Sequence, residues 1–470
     1  MNSCSVPRLW RITSIGLATF VILLVLAYAT ENWRGRQAWH QEEQRLVAAG
    51  DKLDFSAYAP VPVPSGQNFI AVPLMRHLLS ISDVRAKPTP EVRRLQPFLN
   101  LCNSRSVIAT RPLDLAAARQ QMIKFHLLEA THQADPAQDI LAALAPIQAD
   151  LDSLVLAAAQ RPAAQLEFNH HSYLVGPALH WLPSVGRLIA LRAEAELALG
   201  QSEKAYGDTV VLMRLISATA TWPHTSSTMI GHDLLGLLVH GPFLAGWQRQ
   251  VWNDGQLAQF AYFFASYDSW ANLITGLRAE RVGIAALLDD PLFIQDLNEQ
   301  TPWARLMPSG WLQQNRATYS RWMTEAVLGS VTAAGDRIDL PKFFHNLEPY
   351  HSTRWTPYTF IARMAFPGMS YAVLKLAESP PARDEALIVC ALERYRNAHG
   401  AYPESLAGLI PTYLARIPLD PASGRLPSYR RTVGGAFQLA SAGAEEKPDG
   451  RPQTANWRRV EWTWLPLVRP

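Results

Sequence analysis

The sequence predicts a mainly α-helical protein, led by one N-terminal transmembrane helix and ended by a small α+β module. Three observations carry that expectation. An uncharged apolar run spans Ile12 to Ala29, helix-period apolar stripes fill most of the middle, and two short strand patterns lie near the C-terminus. They divide the 470 residues into a membrane anchor and helical stalk (1–50), a helical body (51–380) and an α+β module (381–470). A chain of this length exceeds one compact core, so several units are expected.

The run over 12–29, ITSIGLATFVILLVLAYA, follows Arg8 and Arg11 and contains no charge. At about 1.5 Å per residue its 18 residues just cross about 30 Å of hydrocarbon. Nothing amphipathic relieves the run, which argues against a buried soluble helix. The rival reading is a cleavable signal peptide, since Ala27-Tyr28-Ala29 fits the small-x-small cleavage pattern. The run exceeds the usual signal core of about 7–15 residues, so the uncleaved anchor is preferred. Trp33 and Trp39 follow where interfacial aromatics sit. Arg34, Arg36 and Arg45 leave the charge balance undecided, but a short tail with two arginines ordinarily stays inside. The expected location is a bacterial inner membrane, crossed once by residues 12–29, with the body in the periplasm. Cleavage near Ala29 would instead release a periplasmic or secreted protein.

Composition narrows the partners. Hydrophobic residues make up 48% and charged residues 18%, ordinary for a chain that folds mostly in water. Lys and Arg number 43 against 40 Asp and Glu, and no basic run gathers the formal charge of +3. That leaves no electrostatic footprint for nucleic acid. Cys4 precedes the apolar run, so the body and module hold only Cys102 and Cys390. A Cys102–Cys390 disulfide is open in an oxidising compartment, but the apolar run Ala386–Leu392 favours free buried thiols. No CxxC pair supports structural zinc or thioredoxin-like chemistry.

Beyond the anchor, Glu31 to Gly50 is charged and helix-compatible, which predicts a stalk ending near Gly50. Alternating prolines between Tyr58 and Gly66 then force an extended strap. Ile140, Leu144, Ile147, Leu151 and Leu154 step by fours and threes along one helix face. Residues 186–218 read as a helical hairpin. Leu188, Leu191, Ala195 and Ala198 line its first helix, Gly200 stops it, and Ser202 can cap the second. Ala205, Leu212 and Ile216 supply the facing stripe. The unit resembles a tetratricopeptide hairpin, but no second copy recurs at a fixed period. Residues 300–355 read as broken helices and long connections, and 357–378 as helix. Ser379-Pro-Pro-Ala382 punctuates the chain before the module.

In the module, Glu385 to His399 reads as a helix stopped by Gly400, and Tyr402-Pro403 restarts the chain toward a short helix. Ile417-Pro418-Leu419-Asp420-Pro421 makes a rigid turn, and strands over 427–431 and 436–440 are joined at Gly434-Gly435. This stretch, through Tyr402, Pro403, Pro418, Asp420, Pro421 and Gly443, resembles the globular part of the major pseudopilins of type II secretion. The whole chain is similar to a group of membrane-anchored bacterial proteins that carry this module after a helical region. The similarity extends to Glu31-Asn-Trp-Arg-Gly35 and to Gly310-Trp311 with Gln314-Asn315. Pseudopilins join the module directly to an apolar helix with a glutamate near its start, whereas here that helix lies at the other end of the chain. The resemblance also implies calcium in the acidic loop after Ser441-Ala-Gly443. Glu445, Glu446 and Asp449 supply oxygens there, but calcium takes about 6–8 and Lys447 intrudes. A solvated acidic turn is the preferred reading, with calcium the alternative.

No pattern of catalytic residues stands out. GxSxG, P-loop and GxGxxG are absent. His224, His232 and His240 recur every eight residues, which on a helix is about 12 Å and too far for shared ligation. His170, His171 and His180 form the other grouping and are read as structural or surface histidines. Asp289-Asp290 and Glu42-Glu43 are adjacent pairs that a helix would point apart. Glu280, Arg278 and Arg281 are expected to form ion pairs that fix helix packing. Among fifteen tryptophans, Trp247, Trp252 and Trp270 fit core anchors better than a sugar- or peptide-binding surface. The expected function is a membrane-tethered scaffold that binds unidentified envelope proteins, in envelope or secretion-related assembly. The alternative is a periplasmic hydrolase acting on envelope glycan or peptide.

Overall fold

The computed structural model describes residues 8–79, 89–103, 113–129, 135–168, 176–300, 302–332, 334, 338–351, 353–378, 382–419, 426–432 and 435–440. The fold is mainly helical, with one two-stranded sheet near the C-terminus. The first helix, Arg8–Ala48, is 41 residues long, about 62 Å at 1.5 Å per residue. No part of its most apolar 18-residue window is buried against protein, and it is long and apolar enough to cross a membrane. Gly50, at φ +74°, ends it in the left-handed conformation that glycine adopts without strain.

The charged half of that helix is not a free stalk. It packs lengthwise on helix Ser309–Trp322, burying Gly35, Glu42 and Leu46 at helical spacing. A Cβ on Gly35 would stand 2.2 Å from the Gly310 carbonyl oxygen, and one on Gly310 would stand 2.0 Å from the Glu31 carbonyl oxygen. The two backbones touch, so only glycine fits on either side. An apolar-stripe reading misses the contact because the first helix buries only a glycine, a glutamate and a single leucine in it.

The proline strap is tied down by amide side chains, since its prolines cannot donate. Gln165 accepts from the Val63 N–H (2.8 Å) and donates to the Val61 carbonyl (2.7 Å). Asn68 donates to the Gln165 carbonyl at 2.9 Å. The stripe from Ile140 to Leu154 is buried throughout. Helices Pro136–Leu144 and Gln148–Gln160 carry it, joined by a 3-10 turn at Ala145–Ile147 around Pro146. The hairpin comprises helices Trp181–Ala198 and Ser202–Thr219, with Gly200 at φ +74° between them. Leu188, Leu191, Ala195, Ala205, Leu212 and Ile216 are fully buried. Two details differ from the sequence reading. Ala198 is exposed at the fraying end, and Gln201 rather than Ser202 takes the cap position, its carbonyl accepting from the Ala205 N–H.

Residues 300–355 are more regular than their composition predicts. Helix Ser309–Trp322 runs into a π-turn at Met323–Val327, and helix Leu340–His351 follows. Buried Asn315 and Ser320 interrupt the apolar period there. Asn315 donates to the carbonyls of Trp311 (2.8 Å) and Pro357 (2.7 Å) and accepts from the Ile361 N–H (2.9 Å). Tyr319, Met323, Phe343, Phe366 and Val373 build a second core around this region, with Leu273 and Leu277. In the module, helix Ala382–His399 ends at Gly400 (φ +76°), and strands Ser428–Arg431 and Phe437–Ala440 pair antiparallel. The register runs from Ser428 opposite Ala440 to Arg431 opposite Phe437. The module helix lies on helix Asp254–Ser266, so Val389, Cys390 and Phe437 belong to the same core as Phe260 and Phe264. Cys102 and Cys390 are buried and free.

Replacing Gly35 with leucine should destabilise the full-length protein in detergent by at least about 3 kcal/mol, because backbone must move. Gly66→Ala, whose added Cβ meets nothing within 4 Å, should leave the urea midpoint almost unchanged. Equal midpoints for Gly35→Leu and wild type would show that the anchor helix does not touch the body.

Candidate functional site

The residues singled out in the module fall into three groups. Tyr402 and Pro403 pack within the module, beside the residue that joins it to the body. Buried Glu393 accepts from the Tyr402 hydroxyl (2.5 Å) and from Trp247 Nε1 (2.7 Å), and Arg396 pairs with it at 2.7 Å. Tyr402 stacks edge-on against Phe437, with ring centroids 4.8 Å apart, and the Pro403 carbonyl accepts from Tyr429 at 2.7 Å. Trp247 belongs to the body, so Glu393 joins the two units. Glu393 is absent from the sequence reading, although a charge beside the apolar run Leu387–Leu392 was a usable signal. Pro418 lines a cleft described below. Asp420, Pro421, Gly443, Glu445, Glu446 and Asp449 lie outside the described residues, and with them the calcium question.

The cleft opens between helix Asp254–Ser266, the start of helix Ser269–Leu287 and the module segment 413–419, with a volume of about 820 Å³. Ala258, Ala261 and Ala265 recur on one helix face and leave its floor shallow. Tyr262, 74% exposed, and Leu419, 49% exposed, offer apolar surface without a cover. Arg383, Arg394 and Arg416 line the remainder. Arg394 pairs with Asp254 at 3.1 Å and lies 5.7 Å from the Tyr413 ring centroid. Arg383 holds Asp384 at 2.6 Å and donates to the Tyr267 carbonyl at 2.6 Å. Asp268 caps the helix starting at Ser269, accepting from the N–H groups of Trp270 (3.0 Å) and Ala271 (3.1 Å). Both carboxylates in the cleft are thus committed to structure, while Arg416 is exposed and acts through its charge on Asp384. The cleft can take apolar side chains on Tyr262 and Leu419 and a carboxylate at Arg416.

Elsewhere, ionisable groups serve the packing. Of the cluster expected to form packing ion pairs, Glu280 instead accepts from the Thr225 N–H (3.2 Å) and hydroxyl. Arg281 does form such a pair, with Asp51 3.0 Å away, and donates to Thr324 at 2.9 Å. On a helix, neighbours in sequence point apart, and tertiary partners win. Asp289 pairs with Arg316 at 3.0 Å, and Glu42 with Arg45 at 2.7 Å. Trp247 and Trp252 are core anchors, whereas Trp270 is half-buried at the cleft. His224 caps helix Thr225–Leu238 by accepting from the Ser226 N–H at 3.1 Å. Burial lowers His232 to about 4, so it is neutral at physiological pH. His170 and His171 fall outside the described residues, and no described group of three His, Cys, Asp or Glu could hold a metal.

The hairpin carries a strongly perturbed carboxyl. Arg192 binds Asp208 through two nitrogens (2.8 and 2.5 Å) and Asp152 through the third (2.7 Å). Glu196 follows one turn later, only 6% exposed, with one oxygen lacking a hydrogen-bond partner. Burial pushes Glu196 up to about 8; the Asp208 charge adds to the rise and Arg192 opposes it.

No family model, no curated protein and no solved structure matches this chain.

A carboxyl raised on folding stabilises the fold fully below its ordinary pKa of 4.5, and that stability is lost as pH rises to about 8. The detergent-solubilised protein should therefore unfold at lower urea at pH 8 than at pH 5. Glu196→Gln should flatten that slope, by at most about 1.4 kcal/mol per pH unit. Identical slopes for variant and wild type would mean that Glu196 ionises in the folded protein as it does when unfolded.

Proposed function

We propose that this chain is a membrane-tethered extracytoplasmic scaffold that holds a segment of another envelope protein in the cleft between its body and its pseudopilin-like module. The observation that carries the reading is the composite cleft itself. Exposed Tyr262 from the body and Leu419 and Arg416 from the module converge on one opening of about 820 Å³. Exposed aromatic surface beside an exposed arginine is the composition of a protein-recognition site. A peptide laid there would cover apolar surface and meet Arg416 with an acidic side chain or a terminal carboxylate.

The rest of the molecule fits that role. The apolar stretch of helix Arg8–Ala48 supplies the tether, in a bacterial inner membrane with the body on the periplasmic side. The module acts as a docking wall instead of a pseudopilus subunit, because its own helix Ala382–His399 is consumed in packing on the body. Hydrolysis of glycan or peptide in this cleft would need converging free carboxylates or a nucleophile beside a base. Asp268 and Asp384 are engaged as a helix cap and an ion pair, which favours binding over chemistry.

A photo-crosslinking residue at position 262, in native membranes, should give discrete adducts with envelope proteins. Arg416→Glu should reduce them about tenfold, the loss of one charge-assisted contact. The same label at Val61, 86% exposed in the strap, should not give those adducts. Adducts that ignore Arg416→Glu, or that are shared with position 61, would remove the cleft from the function.

A further inference from the structure

The body meets the anchor helix earlier than a tethered domain needs to. Its first contact is at Tyr28, inside the apolar run, where the Tyr28 hydroxyl donates to the Leu306 carbonyl. Long helical side chains lean toward the N-terminus of their helix. The Leu306 carbonyl therefore lies level with, or on the membrane side of, the turn that carries Tyr28. Leu306 is 72% exposed and belongs to the short 3-10 turn Pro302–Leu306, which packs on helix Pro291–Gln300. A single exposed leucine is ordinary on a water-facing surface. Its level along a bilayer-crossing helix is what gives this one meaning.

The membrane boundaries can be placed from the same helix. Trp10 and Trp33 are 67% and 61% exposed, one toward each end of the apolar run. At about 1.5 Å per residue they stand ~35 Å apart, the spacing of two interfacial belts around a hydrocarbon core of about 30 Å. Tyr28 and Leu306 thus fall inside the outer belt marked by Trp33. Irregular backbone at that depth must satisfy its polar groups within the protein. Here it does, since the Leu306 carbonyl receives Tyr28 and the Met307 N–H donates to the Ala304 carbonyl at 3.0 Å. One turn farther out the contacts become polar. Asn32 Oδ1 accepts from the Gly310 N–H at 2.9 Å, and Glu31 accepts from Trp311 Nε1 at 3.1 Å. Exposed Arg305 and Arg34 lie near this level, where lipid phosphates would be.

We propose that the body rests on the bilayer its anchor crosses, with the Pro302–Leu306 turn seated in the lipid interface and Leu306 in contact with acyl chains. This rests on the reading of residues 12–29 as a membrane span, and the test separates the two. The full-length protein, with Cys4→Ser, is placed in phospholipid vesicles and labelled with a nitroxide at Leu306→Cys, Leu24→Cys or Val61→Cys; buried Cys102 and Cys390 stay unlabelled in the folded state. Collision rates with oxygen, which partitions into lipid, and with a water-soluble nickel chelate report the depth of each label. The expected result is an oxygen-to-nickel ratio at 306 several-fold above that at 61 and approaching that at 24. A lipid-like ratio at 24 with a water-like ratio at 306 overturns the seat and leaves the anchor standing. Water-like ratios at both 24 and 306 overturn the seat together with the span. Because Leu306 is exposed, its cysteine variant removes no packing, and Arg305→Cys gives a second label in the same turn.

Discussion

Gly35 and Gly310 bring two helix backbones into contact, and Asn32 seals the contact by capping a helix that lacks its own cap. Helix Ser309–Trp322 begins after Pro308, which has no side chain able to accept from its first N–H groups. Asn32 Oδ1 does so from the neighbouring helix, at 2.9 Å from the Gly310 nitrogen and 3.2 Å from Ser309 Oγ. The closeness that the glycines permit is what lets the asparagine reach. From there the seam continues outward. Arg316 stacks on Trp39, 3.7 Å from the ring centroid, and Ser320 donates to buried Glu42 at 2.8 Å. A helix long and apolar enough at its start to cross a membrane thereby ends packed on a helix of the second core.

Much of this body is fastened by buried charge. Arg192 with Asp208 clamps the two consecutive helices of the hairpin, while Arg281 with Asp51 and Glu393 with Trp247 join elements distant in sequence. Such groups add little net stability, because desolvation consumes most of the attraction. Breaking one leaves an unpaired charge in the core, so each strongly disfavours alternative helix pairings. Apolar surface of similar shape would let bundle helices slide by a turn. These pairs set the register.

The sequence makes those elements legible whose burial follows a period. The apolar run, the stripe from Ile140 to Leu154, the hairpin around Gly200 and the helix and strands of the module all announce themselves that way. Contacts made through glycine and polar residues leave no such trace. Glu31-Asn-Trp-Arg-Gly35 and Gly310-Trp311 are visible as separate segments, but nothing in either predicts that they meet. Asn315 and Ser320 broke the pattern of a continuous helix for the same reason: each is buried and fully used. The cleft was legible only through Pro418 and Trp270, because it arises where two units face each other. Glu280 and Arg281 show the remaining difficulty, since their distant partners, Thr225 and Asp51, are fixed by tertiary packing alone.

One helix relates the cleft to the anchor. Ser269–Leu287 starts at the cleft, where Asp268 caps it and Trp270 contributes to the lining. Leu273, Ile274 and Leu277 enter the second core, while Ala279 and Val282 enter the first. Arg281, 1% exposed, grips Asp51 just beyond the end of the anchor helix. The distance from cap to arginine is about 20 Å at 1.5 Å per residue, along a continuous hydrogen-bonded rod. A rod buried in both cores cannot bend without opening one of them, so the cleft is held at a fixed offset from the end of the N-terminal helix.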